Sequence, residues 1–206
     1  MNQLARKLAH LLAQNSHNTV HEDEIRYGIE VLLGGIFQVV LLLAIASGLG
    51  LVYQTLGILL ASALLRRYSG GAHCTAYYRC TLTSLITFLP LAYLTKLLLP
   101  YNNPVITCCA VIVVLTIAWI QAPVDNPTKP ITDPVQRQVL RKKSLITAAF
   151  LCLAAAGLLF IFPLGSTAIM MGLLWQSITL TAPGHMYMSL WDNIFLYIEK
   201  IIGKRR

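Results

Sequence analysis

A chain of 206 residues that is 56% apolar and only 12% charged, with a mean hydropathy of +0.66, has too few polar groups to cover a water-soluble globule. Sixteen Lys and Arg against eight Asp and Glu leave a net charge of +8, but no basic stripe interleaved with aromatics and no recognition motif accompanies it, which argues against a nucleic-acid partner. The five cysteines are an odd number and three lie inside apolar runs, so no disulfide framework is implied.

Residues 1–22 put Leu4, Leu8, Leu11 and Leu12 on one helical face, the spacing of a helix lying in the membrane interface, and no cleavage site marks a removable signal peptide. His10, His17 and His21 are read as solvated. A bilayer core takes about 20 residues of helix. Tyr27–Ser47 supplies a first span, with Glu30 near an end or turned to the protein interior. Leu51–Leu65 is a shorter second span, Thr81–Leu99 a third that Pro90 is expected to kink, and Val105–Ile120 a fourth. The hydrophilic insert 122–143 follows, where Pro123, Pro127, Pro130 and Pro134 forbid a regular helix through most of its length. Ser144–Phe162 and Ser166–Leu180 are spans five and six; His185, after Pro183-Gly184, is expected in a turn. In the tail, 186–206, Leu190, Trp191, Ile194, Phe195, Ile198, Ile201 and Ile202 share one face, so it should lie along the membrane surface.

The expectation is an all-α polytopic membrane protein, one membrane-embedded domain over 1–206, with about six transmembrane helices and amphipathic interfacial helices at both ends. Trp119, Trp175 and Trp191 read as interface anchors. Gln38, Gln54 and Gln176, inside apolar runs, suit either internal packing or another subunit. With both termini, the 66–80 loop and the 122–143 loop in the cytoplasm, 15 of the 16 Lys and Arg lie inside and only Lys96 is left near the outer face.

Between spans two and three the chain reads Arg66-Arg67-Tyr68-Ser69-Gly70-Gly71-Ala72-His73-Cys74-Thr75-Ala76-Tyr77-Tyr78-Arg79-Cys80. Gly70-Gly71 permits a sharp turn that delivers His73, a side chain able to take a proton at cellular pH. Cys80 is seven residues on, which would be about 10.5 Å of helix rise. If His73 activates Cys80, the helix must therefore break between them or begin after the histidine. Arg66, Arg67 and Arg79 nearby would favour a thiolate. Cys74 is a competing nucleophile, a structural role for the pair is open, and a metal site from His73, Cys74 and Cys80 is conceivable although the spacing lacks two matched ligand pairs. Tyr68, Tyr77 and Tyr78 either shield this loop from water or form an interfacial belt.

Arg66, then Gly70-Gly71-Ala72-His73, then Cys80, in a short cytoplasmic loop, resembles the accessory gene regulator protein B (AgrB) family of bacteria. The later Ala122-Pro123-Val124-Asp125-Asn126-Pro127-Thr128-Lys129-Pro130-Ile131 is similar to that family's second signature. The resemblance implies a cysteine endopeptidase of the bacterial cell membrane that needs no cofactor. It would remove the C-terminal part of an AgrD-like, amphipathic quorum-sensing pro-peptide and help form a cyclic thiolactone or lactone. On the matching positions Cys80 would be the nucleophile, His73 its base, and Arg66 and Gly71 supporting residues, with Arg67, Gly70 and Arg79 beside them. No third, orienting acid is evident, and Asp125 is the candidate. The resemblance also implies a homodimer, in contact with membrane lipid. The rival reading is a peptide exporter or binding scaffold whose loop docks an acidic peptide on its arginines.

Overall fold

The computed structural model describes residues 22–125 and 131–203, and these are helical apart from short connections. The helices are α1 (Glu22–Gly48), α2 (Val52–Ser69), α3 (Tyr77–Leu98), α4 (Pro104–Gln121), α5 (Pro134–Leu158), α6 (Pro163–Thr179) and α7 (Ala182–Gly203), with a 3-10 turn over Leu99–Tyr101. The interfacial helix expected over 1–22 lies, except for its last residue, outside the described residues.

Two compact units divide the chain, Met1–Ile45 and Ala46–Arg206. The described part of the first is a single helix, most of α1, whose Leu32, Ile36, Phe37 and Val40 are exposed, as suits a lipid solvent. In the second, α6 packs on each of α2, α3, α4, α5 and α7. Its close approach to α2 depends on small residues: a Cβ on Gly172 would stand 2.5 Å from the Ile58 carbonyl oxygen, and one on Gly57 2.7 Å from the Ala168 methyl. Ser62 Oγ seals this contact by donating to the Gly172 carbonyl at 2.9 Å. Around it Leu65, Val114, Ala118, Leu151, Cys152, Met170 and Leu173 form the core. Gln54 and Gln176 are both buried inside this unit rather than turned outward.

Proline sets the start of three helices. Pro104, Pro134 and Pro163 each occupy the first turn, where the missing N–H is not needed and the fixed φ suits the helix. Asn103 and Asp133 cap two of these ends through bonds from Val105 and Ile106 and from Val135 and Gln136. The expected irregular insert 122–143 is therefore helical from Pro134. α3 continues unbroken through Pro90.

Two further boundaries move. α2 does not stop at Leu65 but carries Arg66 and Arg67 in its last turn, where cations complement the exposed carbonyls, and Gly70 caps it with its N–H on the Arg66 carbonyl. The expected loop 66–80 thus shrinks to 70–76. α7 begins at Ala182, so His185 sits in a helical first turn, its N–H on the Thr181 carbonyl.

Among the described residues three helices are long and apolar enough to cross a bilayer: Gly28–Gly48, Tyr77–Tyr101 (α3 with its 3-10 extension) and Pro104–Gln121. The expected second, fifth and sixth spans differ in kind: α2 ends on two arginines, α5 contains Arg141, Lys142 and Lys143, and α6 is 17 residues long.

Candidate active site

The 70–76 segment links α2 to α3 and is fastened on two sides. Val124, of the second sequence motif, donates its N–H to the Ser69 carbonyl at 2.8 Å and forms an isolated parallel bridge with Gly70. On the other side the end of α6 holds the strand: Gln176 Nε2 donates to the Gly70 carbonyl at 2.8 Å and to Ser69 Oγ at 3.2 Å, while the Ala72 N–H donates to the Thr179 carbonyl at 2.9 Å. Gly70 and Gly71 have φ of 67° and 129°, values that L side chains rarely adopt. There is no room for a side chain at either position, since a Cβ would lie 2.2 Å from the Val124 carbonyl oxygen at Gly70 and 2.7 Å from Thr179 Oγ1 at Gly71.

The adjacent arginines divide. Arg66 turns inward, and its Nη2 donates to the Gly71 and Ala72 carbonyls at 3.3 and 2.6 Å. Burial pulls this guanidinium below its ordinary pKa, an effect the nearby Cys80 and Cys74 sulfurs oppose. Arg67 is exposed, its guanidinium 5.7 Å over the Tyr68 ring, whose centroid also lies 5.7 Å from the Lys143 ammonium.

The strand delivers His73 exposed, one residue before the buried Cys74. His73 Nδ1 lies 3.2 Å from the Cys74 carbonyl oxygen. A carbonyl only accepts, so this bond requires the Nδ1–H tautomer and leaves Nε2 with its lone pair. Asp125, the expected orienting acid, instead pairs with Arg137 on α5.

α3 begins at Tyr77, after the histidine, and so places half-buried Cys80 on its first turn. Cys80 packs against Ala72, Cys74 and Met188, with Trp175 and Tyr187 on the same cluster. Cys74 is thus beside the Cys80 sulfur, and Arg66 and His73 lie within electrostatic reach of it. Cys74 Sγ is in turn 3.4 Å from Thr83 Oγ1. It also lies 4.0 Å from the Met188 carbonyl, to which it donates, and the neighbouring Cys80 together with burial pushes the Cys74 thiol up. The sequence offered no place for Cys74; the contact with Cys80 supplies one. Among the described residues no three His, Cys, Asp or Glu side chains gather as a metal ion would need.

Arg79 is the expected site residue that faces away. It is buried, and it pairs with Asp192 at 3.2 Å and Glu199 at 3.0 Å on α7. Tyr78 belongs to the same cluster, its hydroxyl accepting from Arg79 Nε at 2.9 Å, so this tyrosine fixes an arginine rather than roofing the cysteine. Reasoning from sequence missed Gln176, Thr179 and Asp192, whose one available signal was a polar residue within or beside an apolar run.

Fold and site together define a helical membrane protein in which the glycine-hinged 70–76 connection, carrying His73 and Cys74 to the start of α3, is held between Val124 and the end of α6. The chain belongs to the accessory gene regulator B (AgrB) family, whose model matches residues 2–180. It is similar to a "Putative AgrB-like protein" of Listeria monocytogenes serotype 4a (strain HCC23), at 33% identity over 157 residues, 76% of this chain and 75% of that protein. A protein of the same name from Clostridium perfringens (strain SM101 / Type A) is 25% identical over 191 residues, covering 86% and 89% of the two chains. No solved structure matches. Membership ties the chain to the accessory gene regulator system.

Proposed function

We propose that this protein is a membrane cysteine endopeptidase that cuts an AgrD-like signalling pro-peptide and hands the new acyl group on for ring closure. The observation that carries this reading is the meeting of Cys80 with the His73-Cys74 strand. A Cys80 thiolate would find its negative charge met by Arg66 and by the first turn of α3, with the Cys74 thiol packed beside it as a proton donor. His73 Nε2 is the free ring nitrogen for proton transfer.

The Cys80 thiol gives its proton to His73 Nε2, and its sulfur attacks the scissile carbonyl. As the C–N bond breaks, the proton held on His73 passes to the leaving amine, and the N-terminal part of the peptide remains as a thioester on Cys80. A cysteine thiolate of the bound peptide then attacks that thioester, forming the ring and releasing the Cys80 thiolate. A serine would do the same after giving its proton to His73, yielding a lactone. The apolar wall of Ala72, Met188, Trp175 and Tyr187 favours ring closure by keeping water from the thioester. Exposed Arg67 remains available to an acidic part of the substrate, as the exporter or scaffold reading also requires. The Lys and Arg around the 66–80 segment and the 122–143 insert favour a cytoplasmic site in the bacterial cell membrane.

The test is to incubate the full chain in nanodiscs with its cognate pro-peptide and follow the products by mass spectrometry. The expected result is one released C-terminal fragment, unaffected by a metal chelator and abolished by iodoacetamide. Cleavage that survives complete alkylation of Cys80 would contradict the proposal.

A further inference from the structure

The contacts of α7 reach the site from a part of the chain beyond the 2–180 matched by the family model. Arg79 is 8% exposed, and a guanidinium at that depth is costly to bury without partners. Glu199 grips it in two places, Oε1 on Nε at 3.0 Å and Oε2 on Nη2 at 3.1 Å. Asp192 does more than neutralise. One of its oxygens accepts from Arg79 Nη1 at 3.2 Å and the other from Thr75 Oγ1 at 2.7 Å, while Arg79 Nη1 also donates to Thr75 Oγ1 at 3.1 Å. The three groups close a triangle. Burial alone would raise the Asp192 carboxyl, but the bonds from Thr75 and Arg79 together hold it below its ordinary range, so it stays ionised at neutral pH.

The position of the triangle gives it consequence. Thr75 follows Cys74 and is two residues from His73; Arg79 immediately precedes Cys80. Between them the chain changes from extended strand to helix, Ala76 being extended and Tyr77 the first residue of α3. Nothing covalent fixes the angle between strand and helix, and that angle sets where His73 stands relative to Cys80. The Asp192 carboxylate holds one group on each side of the joint.

We propose that Asp192 is a positioning residue of this active site: through Thr75 and Arg79 it fixes the joint between the His73-Cys74 strand and the Cys80 helix, making α7 a clamp on the catalytic pair. The catalytic part of this statement rests on the peptidase reading above, and the positioning part is read separately.

The experiment uses the full chain in nanodiscs and two readouts. The first is the rate of Cys80 alkylation by iodoacetamide as a function of pH, resolved by residue with mass spectrometry. The second is kcat and KM for cleavage of the cognate pro-peptide. Thr75→Val removes only the hydroxyl and leaves both carboxylates on Arg79, so it tests the joint without stripping a buried charge. It should shift the Cys80 alkylation profile and lower kcat by about 10- to 100-fold with little change in KM, the cost of a displacement on the ångström scale. Thr75→Ser should restore both, and Asp192→Asn should resemble Thr75→Val. A wild-type alkylation profile in both Thr75→Val and Asp192→Asn overturns the proposal, whatever cleavage does. If the wild-type chain cleaves no pro-peptide, the peptidase reading fails alone and the alkylation profiles still decide the clamp.

Discussion

Replacing Cys80 by alanine is expected to abolish pro-peptide cleavage, with a loss of at least about three orders of magnitude, because the proposed reaction has no path without the attacking sulfur. The protein should still fold. Cys80 is half-buried on the first turn of α3, at the edge of a small cluster, and the main core of α2, α4, α5 and α6 does not include it. Cys74 gives the matched comparison, since it is the more deeply buried of the two thiols and in the proposed reaction donates to Cys80 rather than attacking. Cys74→Ala should reduce kcat by about 10- to 100-fold, the worth of one hydrogen bond to a charged group, and Cys74→Ser, which keeps a donor, should lie near wild type. Were Cys74→Ala inactive while Cys80→Ala retained cleavage, the assignment of nucleophile and donor would be reversed. Rates with the cognate pro-peptide, beside circular dichroism of each variant, separate chemistry from folding.

Gly70→Ala is expected to have the second-largest effect, although it touches neither reacting side chain. At φ 67° and ψ −144° the backbone is in a region essentially confined to glycine, costing of order 1–3 kcal/mol for any other residue. The added methyl would meet the Val124 carbonyl oxygen at 2.2 Å, a backbone atom that cannot rotate away. Relief requires parting the Gly70–Val124 bridge and with it the Ser69–Val124 bond, which frees one side of the strand that carries His73. Cleavage should fall by about 100-fold or more, while the helix content is unchanged. Gly71→Ala should be milder, because its methyl meets the Thr179 hydroxyl and the Gln176 amide, which are side-chain atoms that can give way. Equal or reversed effects of the two substitutions would show that the Val124 contact does not hold the strand.

What could be read from the sequence was what is encoded locally. Apolar content announces the membrane, Gly70-Gly71 announces a hinge, and the seven-residue interval from His73 to Cys80 forces the helix to begin between them, as α3 does at Tyr77. The apolar run ends at Leu65 but α2 does not, because Arg66 finds its partners in the carbonyls of the segment that follows. Pro134 was read as a breaker and is a helix start. Partnerships across long sequence separations were out of reach. Gln176 is 106 residues from the Gly70 carbonyl it holds, and Asp192 is 117 residues from Thr75. On an amphipathic tail, Asp192 and Glu199 look like solvated residues of the polar face; only the packing of α7 on α3 reveals that they meet a buried arginine. Asp125 illustrates the converse, an acid beside the right motif whose carboxylate belongs to Arg137.

The central claim is that Cys80 carries the peptide as a thioester, and intact-protein mass spectrometry of rapidly acid-quenched reactions tests it most directly. With a cognate pro-peptide whose ring-closing residue is replaced by alanine, the acyl group cannot be handed on. The account predicts a mass increase equal to the N-terminal part of the peptide, located on Cys80, removed by hydroxylamine and absent from the Cys80→Ala protein. Cleavage proceeding at the wild-type rate with no adduct at any time point, or with the adduct on Cys74, would contradict it.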